Sequence, residues 1–326
     1  MDMQQKSYDT YIVITPNDFQ RLKSQYARLV QMIPMGKLIF VGNDEVGTLV
    51  DYQNMGERVS FLNEDSLLAF SEVRSVLDRH MCESLGGGEV IRGVVGWYYQ
   101  QFLKYEIARN CGNEYYMTWD GDTIPCRSVI MFSDDGSPYL DNKNEYHELY
   151  FTTMKKLLPG LRKMIRSSFI SEHMLFNSEI VKELLNDIEK NEKLHGDQYW
   201  EKILLSIEPS DMYQSAFSEF ETYGSYVAQN HPELYRIREW HSFRLGGEFF
   251  DINTISDRDY EWLGKDFDAI SFEKGHVVRE DNSNLFDNPY YQSKLSAKQM
   301  LLAAQEVFKG GYIEKWDGQA GGDPLS

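Results

Sequence analysis

The sequence predicts an α/β fold in which helices flank a mainly parallel central sheet, followed by a more helical second half. Two observations predict it. In the first half, short apolar runs alternate with segments whose apolar residues recur at helical spacing, which is the pattern of β-α-β units. Beyond about residue 145 the helical spacing dominates. The chain has 326 residues, 42% of them hydrophobic, enough for one large domain or two ordinary ones.

Residues 11–15 (YIVIT) read as a buried strand closed by Pro16, Asn17 and Asp18, and a helix follows over about 18–32. Residues 37–41 (KLIFV) are a second strand, closed by Gly42, Asn43 and Asp44; residues 59–62 (VSFL) are a third, leading to a helix over about 65–79. Open α/β sheets bind ligands beyond the carboxyl ends of their strands, so these polar exits are expected to share a crevice. The glycines at 86–88 precede an amphipathic helix over 97–109. Its Tyr98, Phe102 and Tyr105 share one face, and Trp97, Gln101 and Lys104 the other. A strand at 114–119 runs into Asp120-Gly121-Asp122, and 129–132 reads as a further strand of the sheet. Helices are expected near 146–158, 177–190, 197–206, 215–229 and 294–309, and short strands at 168–170, 239–245 and 269–272. No linker or repeat divides the chain, so residues 1–135 and 136–326 read as two halves of one continuous unit.

Charge narrows the partners. There are 33 Lys and Arg against 51 Asp and Glu, a formal net charge of −18, which disfavours nucleic acid. A local cluster of Lys155, Lys156, Arg162, Lys163 and Arg166 leaves room for weak peripheral contact with a membrane, though such a cluster ordinarily forms a solvated helix face. Cys82, Cys111 and Cys126 are widely spaced and suggest neither a zinc site nor a disulfide framework. With a polar N-terminus and no long apolar stretch, a cytoplasmic location is expected.

The sharpest local feature is Asp120-Gly121-Asp122 at the end of a strand. Alternation along a strand sends both aspartates to one side, and hard carboxylate oxygens there suit Mg²⁺ or Mn²⁺, which completes its shell with water and phosphate. The same triplet also serves as a tight turn. Residues 218–223 (SEFETY) form a second acidic feature. In a helix begun by Ser215 or Ser218, Glu219 and Glu221 point apart, so at most one enters a shared site.

Four segments, taken in order, carry a resemblance: YIVITPND at 11–18, GWYYQQFLK at 96–104, WDGDTIP at 119–125 and FSEFETYG at 217–224. The chain resembles the metal-dependent GT-A (Rossmann-like) glycosyltransferases, in particular uncharacterised bacterial members of surface polysaccharide synthesis. That resemblance implies a donor-binding first half and an acceptor-binding second half. It puts Thr15 and Pro16 beside the nucleotide base, Asp44 at the base or ribose, and Trp97, Gln101, Lys104 and Trp119 around the donor, with Lys104 on its phosphates. His276 becomes a further metal ligand beside Asp120 and Asp122. Glu219 becomes the general base, and His173, Glu221 and Tyr223 line the acceptor side. The expected ligands are a UDP-sugar with Mn²⁺ or Mg²⁺ and a glycan or lipid-linked glycan acceptor. A metal-dependent nucleotidyltransferase, which would ordinarily carry a glycine-rich phosphate loop, and a catalytically inactive binding or assembly subunit are the alternatives.

Overall fold

The computed structural model describes residues 7–307 apart from Met35 and Glu83. Its main sheet has five strands: β1 (Asp9–Val13), β2 (Leu38–Gly42), β3 (Val59–Asn63), β4 (Tyr115–Trp119) and a later strand, His173–Asn177. The spatial order is β3-β2-β1-β4, all parallel, with His173–Asn177 antiparallel on the outer side of β4. The chain therefore winds from β1 to β3 in one direction and returns to the other side of β1 for β4. This reversal is where an α/β sheet opens a crevice.

Between the strands run α1 (Pro16–Leu22), α2 (Tyr26–Met32), α3 (Asp44–Leu49), α4 (Tyr52–Met55), α5 (Phe70–Met81) and α6 (Arg92–Asn110). The first two strands lead directly into residues that cap the next helix. Thr15 Oγ1 accepts the Asp18 N–H with Pro16 in the first helical turn, and Asn43 Oδ1 accepts the Val46 N–H. The expected helix over 18–32 is two helices joined by a 3₁₀ turn at Lys23–Gln25. The long α6 is buried on most sides, with Tyr98, Phe102 and Tyr105 fully enclosed.

Past β4 the chain forms smaller sheets. β5 (Thr123–Pro125) pairs with β10 (Ala269–Ser271), which also pairs with β9 (Ser242–Phe243). β6 (Tyr139–Asn142) pairs in parallel with β8 (Arg236–Glu239); the outer strand His173–Asn177 of the main sheet is β7. The second half supplies α7 (Glu148–Leu157), α8 (Ser178–Glu189), α9 (Tyr199–Ser206), α10 (Glu219–Asn230) and α11 (Asp257–Leu263), followed by α12 (Glu280–Phe286), α13 (Pro289–Gln292) and α14 (Ala297–Val307). One hydrophobic cluster extends from Tyr8 to Leu301.

Two expected strands are corrected. Residues 129–132 alternate buried Val129 and Met131 with exposed Ile130, yet among the described residues they join no sheet. The Val129 N–H is drawn to the Met32 carbonyl, and only Phe132 makes a bridge, to Pro138. Residues 168–170 contribute a single bridge between Ser168 and Lys143. The expected helix over 294–309 is described over Ala297–Val307, and its last two positions lie outside the described residues.

Candidate active site

A cleft of about 1060 Å³ crosses the strand exits. Thr15, Asn43, Glu64 and Asp120 line it from the ends of β1 to β4, with Pro16 beside Thr15. Trp97, Gln101 and Lys104 of α6 and Glu219 of α10 form a further part of its wall. Small-molecule sites span about 300–1,000 Å³, so this cleft lies at the large end of that range.

Asp120 leaves β4 with its N–H donated to the Glu172 carbonyl at 2.8 Å. Gly121 turns tightly against β1: a Cβ there would lie 2.9 Å from Ile14 Cδ1 and 3.1 Å from Ile12 Cγ2. Only glycine lets the two aspartates follow the strand this closely. The Asp122 carboxyl is pushed up to about 7, first by burial and then by Asp120 and Glu273, against the pull of Arg244 and Arg21. Among the described residues its side chain accepts one hydrogen bond, from Thr123 Oγ1 at 3.3 Å. Such a carboxyl, buried beside like charges and poor in donors, fits a divalent ion that would replace its proton. Among the described residues no cluster of three or more His, Cys, Asp or Glu is assembled to hold an ion. An ion here would therefore rest on the two aspartates and take its other ligands from water and phosphate.

Lys104 joins this pair to α10. Its Nζ donates to Asp120 Oδ1 at 2.8 Å and to Glu219 Oε1 at 2.6 Å, and stands 4.2 Å over the Phe220 ring. Burial pulls the lysine pKa down, but the two carboxylates outweigh it and hold the ammonium charged. Glu219 is oriented by both backbone groups: its N–H donates to Gln101 Oε1 and its carbonyl accepts from Tyr105 Oη. Burial raises the Glu219 pKa more than Lys104 lowers it, leaving a carboxylate that takes a proton more readily than a free one.

The cleft carries more negative than positive side chains. Asp18, Glu45 and Glu64 stand near the early strand exits, Asp120, Asp122 and Glu219 around Lys104, and Glu145, Glu172 and Glu273 on residues of the second half. Arg21, Arg92, Lys104, Arg244 and Lys274 face them. Glu172 is the unusual member: it holds a left-handed backbone, φ +60°, rare without glycine. Its carboxylate accepts from Lys143 Nζ at 2.6 Å, Ser242 Oγ at 2.9 Å and Trp240 Nε1 at 3.2 Å.

Several expected contacts lie elsewhere. Trp119 is fully buried and donates its Nε1–H to the Thr123 carbonyl, so it packs the sheet and does not face the donor space. His173 stacks on Trp119 and bonds Asp141 through Nε2 and the Ser171 carbonyl through Nδ1, inside the core. Glu221 turns inward to Ser168 Oγ and the Phe169 N–H, and Tyr223 Oη to the Asn177 N–H and Tyr235 Oη. None of these four lines the cleft. Asp44 is exposed outside the lining, accepting from Asn63 Nδ2, while its neighbours Asn43 and Glu45 face in. Past β10 the chain turns Glu273 and Lys274 into the cleft and carries His276 away, to 3.9 Å from Glu248. Sequence reasoning missed Arg21, Glu145, Tyr150, Glu172 and Arg244. Arg21 had a signal, its helical spacing from Asp18, to which it pairs at 3.3 Å; the others reach the cleft only through tertiary packing.

The sequence matches a family of unknown function, DUF6492, over residues 3–309. The chain belongs to that family. No curated protein matches this member of it. Solved structures similar to it include mouse xyloside xylosyltransferase 1 in its apo form, 13% identical, covering 84% of this chain and 100% of that one at a TM-score of 0.39. The apo bifunctional glycosyltransferase WbbM is 9% identical, with a TM-score of 0.42 over 94% of this chain, which spans about half, 52%, of the WbbM chain. The galactosyltransferase LgtC, solved with donor and acceptor sugar analogues, is 9% identical over 95% of this chain and 99% of that one, with a TM-score of 0.38.

Proposed function

We propose that the chain transfers a hexosyl group from a nucleotide-sugar, with UDP as the nucleotide, to a glycan or lipid-linked glycan acceptor. The observation that carries this reading is the bridge from Asp120 through Lys104 to Glu219 at a parallel-strand exit. A carboxylate pair fit for a cation and a third carboxylate fit for proton transfer are joined through one ammonium inside a single large cleft. Mn²⁺ or Mg²⁺ on Asp120 and Asp122 would neutralise the donor diphosphate and so ease its departure. Thr15, Pro16 and Asn43 offer the early strand exits to the nucleoside. Glu219 takes the proton of the acceptor hydroxyl as the new C–O bond forms at the sugar's anomeric carbon, and the electron pair of the old bond leaves with the nucleoside diphosphate. Lys104 keeps Glu219 and Asp120 at fixed separation during this exchange. A place in surface polysaccharide synthesis on the cytoplasmic side belongs to the same proposal; among the described residues no helix is long and apolar enough to cross a membrane.

The test is UDP release by the purified protein from UDP-glucose, UDP-galactose and UDP-N-acetylglucosamine, alongside thermal shifts with UDP. Release is expected with Mn²⁺ and is expected to stop with EDTA or in Asp122→Asn. An equal thermal shift from UDP in Mn²⁺ and in EDTA, or no response to any of the three donors, would sink the reading.

A further inference from the structure

The residues that the second half of the chain contributes to the cleft include a group the proposed chemistry leaves unused. Tyr150 of α7, Glu145 just before that helix, and Arg244 after β9 all line the cleft. Tyr150 is half-buried, and His147 packs edge-on against its ring at a centroid distance of 4.5 Å, which fixes the phenol in place. Glu145 Oε2 is enclosed and accepts no hydrogen bond among the described residues; Arg244 Nη1 comes only to 3.8 Å. Arg244 is committed elsewhere, its Nε donating to Glu273 Oε1 at 3.0 Å, and Lys143 is held by Glu172 and Ser242. Burial, with Glu172 and Glu221 adding to it, keeps the Glu145 pKa raised against Arg244 and Lys143.

Glu145 keeps 15% of its side chain exposed where it lines the cleft, so a hydroxyl of a bound ligand can reach the carboxylate from that side and supply the donor it lacks. Tyr150 lines the same cleft with its ring held by His147. An aromatic face for C–H groups next to an acceptor-only group for hydroxyls is what a pyranose ring needs from a site. We propose that Tyr150, Glu145 and Arg244 form a subsite for an uncharged pyranose ring of the acceptor, whose hydroxyls donate to Glu145, and that a ring bearing a carboxylate is rejected. Rejection follows because Glu145, Glu172 and Glu273 surround the place and both nearby cations are already paired, so an added anion meets like charge. Tyr150 and Glu219 line the same cleft, so the bound ring and the base share one space. The assignment of this ring to an acceptor rests on the sugar-transfer reading above.

The test is saturation-transfer NMR on the full chain with Mg²⁺ and UDP, using methyl β-D-glucopyranoside, methyl β-D-galactopyranoside and methyl β-D-glucuronide as probes. The two neutral glycosides are expected to receive saturation, at least fivefold more than the glucuronide. Tyr150→Ala is expected to reduce the neutral signals at least fivefold. Glu145→Gln, nearly isosteric, is expected to raise the glucuronide to the level of the glucoside. The thermal shift given by UDP with Mg²⁺ serves as the check that each variant is folded. Equal signals from glucoside and glucuronide in the unmodified protein, no signal from any probe, or neutral signals indifferent to both substitutions would overturn the subsite. If UDP gives no metal-dependent shift while the glycosides still depend on Tyr150 and Glu145, the subsite stands and the sugar-transfer reading fails.

Discussion

Glu219 and Glu221 lie two positions apart at the start of α10 and are turned about 200° from one another, so their environments differ although their chemistry is the same. Glu219 faces Lys104 and the cleft; Glu221 accepts from Ser168, Phe169 and Ser225 in the core. Glu219→Gln is expected to lower sugar transfer by about 10²-fold or more, the scale of losing a general base, while leaving UDP–metal affinity nearly unchanged in calorimetry. Glu221→Gln should do the reverse: destabilise by about 1–3 kcal/mol in denaturant titrations, because buried donors lose their charged partner, with the initial rate per folded molecule preserved. Glu64 provides a pH signature. Burial and then Asp65 push its carboxyl up to about 7, against Arg92. The folded protein thus binds this proton more tightly than the unfolded chain does, so its contribution is present in full below the ordinary carboxylate range and is lost as pH rises towards 7. Melting temperatures followed from pH 5 to 8 should fall less in Glu64→Gln than in the parent; parallel curves would contradict the assignment.

At the scale of elements, α10 is locked to the loop before β7. A Cβ on Gly224 would come within 2.3 Å of Phe169 Cγ, a fully buried ring. Gly224→Ala therefore has to displace either the ring or the helix, and a loss of about 1–3 kcal/mol is expected in denaturant titrations, as for other overpacked cores. Since Glu219 rides on the same helix, a shift of α10 away from Lys104 would also appear as reduced transfer. The strands β1 to β4 were legible because each is a short apolar run closed by a capping Thr or Asn or by Asp120, and local chemistry alone dictates such exits. The face of α6 carrying Trp97, Gln101 and Lys104 was legible from spacing. Residues 129–132 misled because their alternation fits a half-buried strand, whereas strand pairing depends on a neighbour the sequence does not specify. Trp119, His173 and Tyr223 were misplaced for a related reason: polar aromatic side chains satisfy themselves inside a core as readily as at a ligand, and only the fold shows that Thr123, Asp141 and Asn177 wait there as partners. Glu145 and Arg244, 99 positions apart in numbering, could not be paired from sequence at all.

For the molecule as a whole, the charge of −18 and the excess of carboxylates in the cleft act in one direction. Such a field would draw a divalent cation in and repel a bare diphosphate, so under the proposed function the cation and the nucleotide are expected to bind with strong positive coupling. Raising ionic strength should weaken Mn²⁺ binding measured without nucleotide, because screening shortens the reach of the distant charges to about 8 Å at physiological salt; affinity indifferent to salt would show that the local pair alone decides. Glu172 bears on how such a chain can change. Its left-handed backbone favours glycine or asparagine, while Lys143, Ser242 and Trp240 require a carboxylate at the same place, and its carbonyl anchors Asp120. Glycine there would relax the turn and strand an ammonium and an indole; glutamine or alanine would keep the strained turn and lose the charge. Aspartate tolerates the turn and keeps the charge but is one methylene too short to reach all three donors, so in a library covering every substitution this codon should tolerate fewer variants than Asp120 itself when the library is sorted for folded protein, and a lineage could leave glutamate at this position only by rebuilding its neighbours.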